Sequence, residues 1–221
     1  MKTIRVSDEI LAVCPHFVGA AVEANITNTP YSATLWEEIR LFRTSYCNKY
    51  TTESIKEMPA IQATRTMYKR CGKDPSRYRP SSEALIRRML KGQDLYQIDT
   101  VVDLINLASI AYGYSIGGFD DMKIAGNTIT LGIGREEEPY EGIGRGHLNI
   151  TGLPVYRDCI GGIGTPTSDH ERTKLSVSTT RLLALINGYD GNRKQVTACA
   201  EYIQELLKKY AASDGGSIQL Y

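Results

Sequence analysis

The spacing of apolar residues changes character along this chain. Residues 1–32 read as strand and loop, with Phe17 to Ile26 the best strand. Leu35, Ile39, Phe42 and Tyr46 then recur at helical spacing and predict an amphipathic helix over 33–48. Pro59 suits the first turn of a second helix, which runs to about Cys71 before Gly72 stops it. A third helix begins near Ser81 and ends at Gly92. Leu85, Ile86, Met89 and Leu90 share one face of it, and Arg87, Arg88 and Lys91 lie outside that face.

The segment 99–112 is apolar nearly all round and predicts a buried helix. Its polar residues Asp103, Asn106 and Ser109 form one narrow stripe, which has to face a cap, a polar network or a ligand. From Ile116 to about Ile186 short strands alternate with glycine-rich turns, the candidates being 115–119, 128–133, 153–158 and 180–186. A last helix, capped by Asp190 or Asn192, carries the apolar stripe Val196, Cys199, Ala200, Ile203, Leu206, Leu207 and Tyr210. The tail after Ala212 reads as frayed. Helices first, sheet second and a closing helix give an α+β fold rather than an alternating α/β one.

Composition narrows the class without naming a function. The 221 residues, 42% hydrophobic and 23% charged, suit a single core-bearing domain rather than disorder. No apolar run is long enough to cross a bilayer, and Met1-Lys2-Thr3-Ile4-Arg5 leads into no signal-peptide core, so a membrane partner is not expected. Five scattered cysteines, an odd number, suit reduced thiols and a cytoplasmic location. The net charge of +1 says little, but between Arg65 and Lys91 nine basic residues stand against Asp74 and Glu83 alone. That stretch could meet phosphate or could be the solvated faces of two helices.

Several familiar chemistries are excluded. There is no CxxC or HExxH, and His16, His147 and His170 are too dispersed to form a metal-ligand cluster, so neither a metal nor an organic cofactor is expected. Gly142-Ile143-Gly144-Arg145-Gly146 and Gly161-Gly162-Ile163-Gly164 lack the spacing of a nucleotide loop and read as tight turns or close approaches. The segment from Arg157 to Lys174 runs from a strand through glycines into a dense polar cluster. Its small residues expose backbone amides, Thr165, Thr167, Ser168, Asp169 and Glu171 offer donors and acceptors, and Arg157, Arg172 and Lys174 offer positive charge. Such parts suit a loop that binds a carboxylate or an amino group, or simply a long surface loop. Cys159 and His170 could in principle pair as nucleophile and base, although a lone cysteine beside a strand is more often a packing residue.

Arg79-Pro80-Ser81-Ser82-Glu83-Ala84-Leu85-Ile86-Arg87-Arg88, Val101-Val102-Asp103-Leu104-Ile105-Asn106, and Gly113 to Asp120 with Lys123-Ile124-Ala125-Gly126 together resemble the B3/B4 editing domain of the phenylalanyl-tRNA synthetase β subunit. Gly161-Gly162 and the segment ending at Thr179 to Leu183 continue the resemblance, which covers roughly 75–190. It implies a layered α+β domain with an irregular mixed or antiparallel sheet flanked by helices. One domain, 1–221, is then expected, with 1–74 as an N-terminal extension and 191–211 as the closing helix. In that family the module binds a wrongly attached amino acid and hydrolyses the ester of the aminoacyl-tRNA. Carried over, the family's asparagine is kept as Asn106, its threonine falls on Ile105, its histidine on Gly117, and its recognition glutamate on Glu171.

The resemblance therefore implies substrate-binding candidates at Asn106, Gly117, Gly118, Gly161, Gly162, Thr165 and Glu171. Arg79, Arg87 and Arg88 are the candidates for RNA phosphate. The expected partner is tRNA, aminoacyl-tRNA or an amino-acid-like small ligand. Three readings stay open: a trans-acting editing hydrolase, a binding module without catalysis, and a scaffold without a small ligand.

Overall fold

The computed structural model describes residues 1–221 and forms an α+β fold. Ten strands are present: β1 (Thr3–Val6), β2 (Val18–Asn25), β3 (Ile116–Asp120), β4 (Thr128–Ile133), β5 (Glu141–Gly142), β6 (Gly146–His147), β7 (Pro154–Arg157), β8 (Gly162–Gly164), β9 (Arg181–Gly188) and β10 (Ser217–Leu220). The α-helices are α1 (Asp8–Val13), α2 (Ala33–Lys49), α3 (Pro59–Arg70), α4 (Ser81–Leu90), α5 (Thr100–Tyr112) and α6 (Arg193–Tyr210). Short 3-10 turns at Thr52–Glu57, Asp121–Lys123 and Glu171–Thr173 link them.

Two four-stranded sheets organise the molecule. One is antiparallel in the order β10-β2-β9-β3; the other is mixed, β1-β4-β7-β8, with β1 parallel to β4. Strand periodicity explains the layering. On β2 and β9 the residues Ala20, Val22, Ala24, Leu182, Ala184 and Ile186 pack under α5 and α6, while the alternate residues Ala21, Leu183 and Leu185 pack against Ile129, Leu131 and Tyr156 of the mixed sheet. A sheet covered on both faces needs apolar residues at every position, which is why 182–186 reads as an unbroken apolar run. No helix is long and apolar enough to cross a membrane.

The helices begin and stop where local chemistry dictates. Asp99 accepts a hydrogen bond from Val102 N at 2.8 Å and starts α5, and Gly113, at φ +76°, ends it in the left-handed region. Asn192 caps α6 by accepting from Gln195 N at 3.1 Å; Asp190 instead accepts from the Tyr114 hydroxyl at 2.9 Å. The tail differs from the expectation of fraying. Gly216 adopts φ +66° and turns the chain back, so that Ser217–Leu220 pairs with Ala20–Glu23 on the otherwise open edge of β2. Tyr221 closes this edge, with its hydroxyl 2.8 Å from that of Tyr156 and its ring in the space a side chain at Gly19 would need. The N-terminal residues likewise enter the sheets, β1 at the edge of one and β2 inside the other.

Candidate functional site

The polar stripe of α5 divides by function. Asp103 accepts from Trp36 Nε1 at 2.7 Å and from Ile98 N at 3.1 Å, and burial pushes its carboxyl up to about 6. Ser109 donates to the Tyr114 carbonyl at 2.6 Å. Asn106 alone keeps its side-chain amide free of protein partners, and it lines a cavity of about 360 Å³ between α5 and β3. Ile98, Val102, Ile105, Ile116, Ile143 and Leu175 form the apolar walls; Asn106, Asp169, Lys174 and the Gly118 backbone are the polar elements. Cavities that take small ligands run from about 300 to 1,000 Å³, so this one suits a ligand of amino-acid size.

The loop after β8 completes this cavity by stitching three elements together. It bridges Phe119 of β3 through Lys174, Gly142 of β5 through His170, and Gly164 of β8 through Asp169. Asp169 thereby comes to the free edge of β3, where its Oδ2 accepts from Gly118 N at 3.0 Å. A Cβ at Gly117 would lie 3.2 Å from Asp169 Oδ1, and one at Gly164 2.9 Å. These two glycines make room for the carboxyl. Burial pushes that carboxyl up to about 7, against the opposing effect of the Gly118 N–H.

Of the sequence candidates, Asn106 and Gly118 line the cavity, and Glu171 reaches its rim through an ion pair with Lys174. Gly117 faces the other side of β3, where the ring of Phe119 fills the space a histidine would take. Three candidates lie off the cavity. Gly161 donates to Asp158 Oδ1 at 3.1 Å in a turn, Gly162 packs on the Tyr140 ring, and Thr165 turns the loop by donating to the Ser168 carbonyl at 3.0 Å. Asp158 anchors that turn. Burial would raise its carboxyl, but the bidentate Arg172 guanidinium at 2.9 Å and three backbone N–H groups hold it below its ordinary value. Cys159 and His170 are not joined by a hydrogen bond: Cys159 is exposed near Gly126, and His170 Nδ1 accepts from Arg172 N at 3.0 Å.

Asp169 was visible in the sequence only as one polar residue of a polar loop. What distinguishes it, the edge of β3 with two facing glycines, is a tertiary property.

A second recess of about 330 Å³ lies along α4. Arg79, Arg87, Arg88, Lys91 and Arg145 line it together with Tyr96, and no acidic residue does. Buried Glu83 organises this face from below, with Arg65 Nη1 at 2.9 Å, Arg87 Nη2 at 3.0 Å and Arg79 Nε at 3.6 Å, so three guanidinium groups meet one carboxylate. Arg88 lies 3.9 Å over the Tyr96 ring. Arg70 is not part of this recess; it donates to the Val13 carbonyl at 2.8 Å. Two segments belong to both recesses. In the β5–β6 turn Ile143 lines the cavity and Arg145 the groove; in the extended strap 93–98 Ile98 lines the cavity and Tyr96 the groove.

An N-terminal fragment of the phenylalanyl-tRNA synthetase beta-subunit from Pyrococcus horikoshii aligns over 98% of this chain at 15% identity and a TM-score of 0.49. The chain spans 50% of that fragment. No curated protein matches the sequence. The B3/4 domain profile matches residues 63–212, more than half of the sequence, and the chain belongs to the B3/4 domain family.

Proposed function

We propose that the protein binds the aminoacyl end of an RNA, holding the amino-acid moiety in the cavity and the adjoining phosphates in the basic groove. The observation that carries this reading is that the two recesses draw on the same two segments of chain: the pairs Ile143/Arg145 and Ile98/Tyr96 each place an apolar wall and a cationic or aromatic wall two residues apart. A ligand with an apolar head on a phosphodiester chain matches that arrangement. Arginine and lysine neutralise phosphate, and an aromatic ring such as Tyr96 offers a stacking face for a base. Asn106, Gly118 and Asp169 contact the head in this reading, with Arg79, Arg87 and Arg88 on the chain.

Hydrolysis of the ester is the second reading, and one feature favours it: a cavity carboxyl raised to about 7 is suited to taking a proton from water near neutral pH. No serine, threonine, cysteine or histidine lines the cavity, so deacylation would proceed through water held by Asn106 and Asp169 rather than through a covalent enzyme intermediate.

Fluorescence anisotropy with tRNA, charged and uncharged, tests binding. Tighter binding of the charged form, weakened by rising salt, supports the reading; equal binding of both forms overturns the role of the cavity. Release of label from aminoacyl-tRNA in the same mixtures distinguishes a hydrolase from a binder.

A further inference from the structure

The cavity contains one acid that lacks a cation. Of the buried carboxylates, Glu83 has Arg65, Asp121 has Arg181 at 2.9 Å and Asp158 has Arg172, while Asp99, which caps α5, has no cation and takes Val102 N at 2.8 Å. Asp103 has none, but it takes two donors, Trp36 Nε1 and Ile98 N. Asp169 takes one donor, Gly118 N, and no other protein group bonds to its carboxyl. A carboxylate has about four acceptor sites, so most of this one's capacity is unused. Leaving an ionised group unmet beside apolar walls is costly, which is the physical origin of its raised affinity for a proton.

The charged and titratable neighbours are already committed. Lys174 pairs with Glu171, His170 Nδ1 accepts from Arg172 N, and the Tyr140 hydroxyl donates to the Ser168 carbonyl at 2.7 Å. The α5 and β3 residues of the lining are Val102, Ile105, Asn106, Ile116 and Gly118, none of them titratable. Asp169 is half-buried, so its remaining acceptor sites face water or a ligand that displaces it. A primary ammonium brings three N–H donors and a positive charge, which is the complement of this carboxylate.

We infer that Asp169 is the receptor for the α-ammonium group of the aminoacyl ligand, and that the aliphatic walls hold an apolar side chain, so that a free α-amine is selected over an acylated or absent one. This rests on the aminoacyl reading above and specifies which atom of the head is recognised. Gly118 presents its N–H to the same carboxyl, so its amide reports occupancy directly. Asp169→Asn keeps an acceptor for that N–H while removing the charge, which preserves the local hydrogen bond.

The test is an NMR titration of the isotope-labelled full chain at pH 7 with L-leucinamide, N-acetyl-L-leucinamide, 4-methylpentanamide and L-tyrosinamide. L-leucinamide is expected to shift the Gly118 and Asn106 signals with at least tenfold higher affinity than the two analogues without a free amine. In Asp169→Asn that preference is expected to disappear while the spectrum stays folded. Equal binding of L-leucinamide and 4-methylpentanamide by the wild type overturns the inference, as does an amine preference that survives in Asp169→Asn. L-tyrosinamide binding tenfold tighter than L-leucinamide, with only that advantage lost in Asp169→Asn, overturns it too, because the carboxyl would then read a phenol. Retention of charged tRNA without any amide response sinks the ammonium inference alone. An amine preference without any RNA binding sinks the RNA-end reading and leaves the ammonium site standing.

Discussion

The cavity and the groove share two segments of chain yet are built from opposite materials. The cavity has six aliphatic walls, one amide, one unpaired carboxyl and a lysine tied to Glu171; the groove beside it has five cations, one tyrosine and no acid. In the groove, positive charge is held in place from beneath by buried Glu83, and the guanidinium groups remain partly exposed to water. On the proposed reading its contacts with phosphate are therefore long-ranged and screened by salt. In the cavity, the proposed recognition depends on shape and on the half-buried Asp169 carboxyl, which salt screens less. The difference separates two kinds of selectivity, charge along the chain and chemistry at its end, and each can be removed without the other.

Closing the cavity should have the largest effect. A Cβ at Gly118 would already lie 2.9 Å from Ile105 Cδ1 and 3.0 Å from Leu175 Cδ1, so Gly118→Val fills the space between α5 and the loop. Leucinamide shifts at Asn106 should vanish, while the salt dependence of RNA binding should stay as in the wild type. A cavity response that persists would show that ligand enters elsewhere.

The converse variant, Arg87→Ala with Arg88→Ala, should weaken RNA binding by about tenfold or more at low salt. The slope of log affinity against log salt should become shallower by about two, one for each lost phosphate contact. Leucinamide binding should be unchanged. An unchanged slope would remove these arginines from the phosphate path.

Asp169→Asn tests the cavity through stability. A carboxyl raised to about 7 in the folded chain holds a proton there that the unfolded chain, near its ordinary value, has already lost. Its stabilising contribution is thus present below about pH 4 and is lost as pH rises through 7. The variant should therefore be more stable than the wild type at pH 8, by about 1–2 kcal/mol, and match it near pH 4. A variant less stable at pH 8 would mean that the carboxylate has a partner in the folded protein.

Glu171→Gln should give the smallest change. It releases the Lys174 ammonium from its ion pair, and Lys174 lines the same cavity as Asp169. The freed ammonium competes with the ligand's own, and leucinamide affinity should fall a few-fold, with RNA affinity unaltered. A gain in leucinamide affinity would assign Lys174 a direct contact with the ligand instead.

Residue patterning captured the helices closely because a helix is a local object. The apolar spacing over 33–48 became α2 at 33–49, the Pro59 start became the first residue of α3, and Gly113 ended α5 through its own backbone preference. Arg87, Arg88 and Lys91 could be read as a set for the same reason: Lys91 follows the two arginines by four and three residues, and residues so spaced share a helix surface. The strands flanking these helices were harder to see. β8 is three residues, Gly162–Gly164, two of them glycine, and β10 follows a pair of glycines in a polar tail; neither has a periodic signature, and each exists because an edge of a sheet was open to receive it.

What the sequence by itself determined is the α+β class, the main helices and longer strands, the cationic face of α4, and the resemblance carried by 75–190, since each depends on residues near one another along the chain. What only the tertiary structure decided is the partition of the Asp103, Asn106 and Ser109 stripe into two structural groups and one free amide. It also decided which polar residues of the 157–174 segment, Asp169 and Lys174, line the cavity. Asp169 reaches β3 because a bridge to Gly164 holds its backbone and because Gly117 and Gly164, 47 residues apart, both lack a side chain where its carboxyl sits. A polar loop advertises that it contains donors and acceptors. Which of them remains unsatisfied depends on partners brought from distant parts of the chain, and that is settled only when the chain packs.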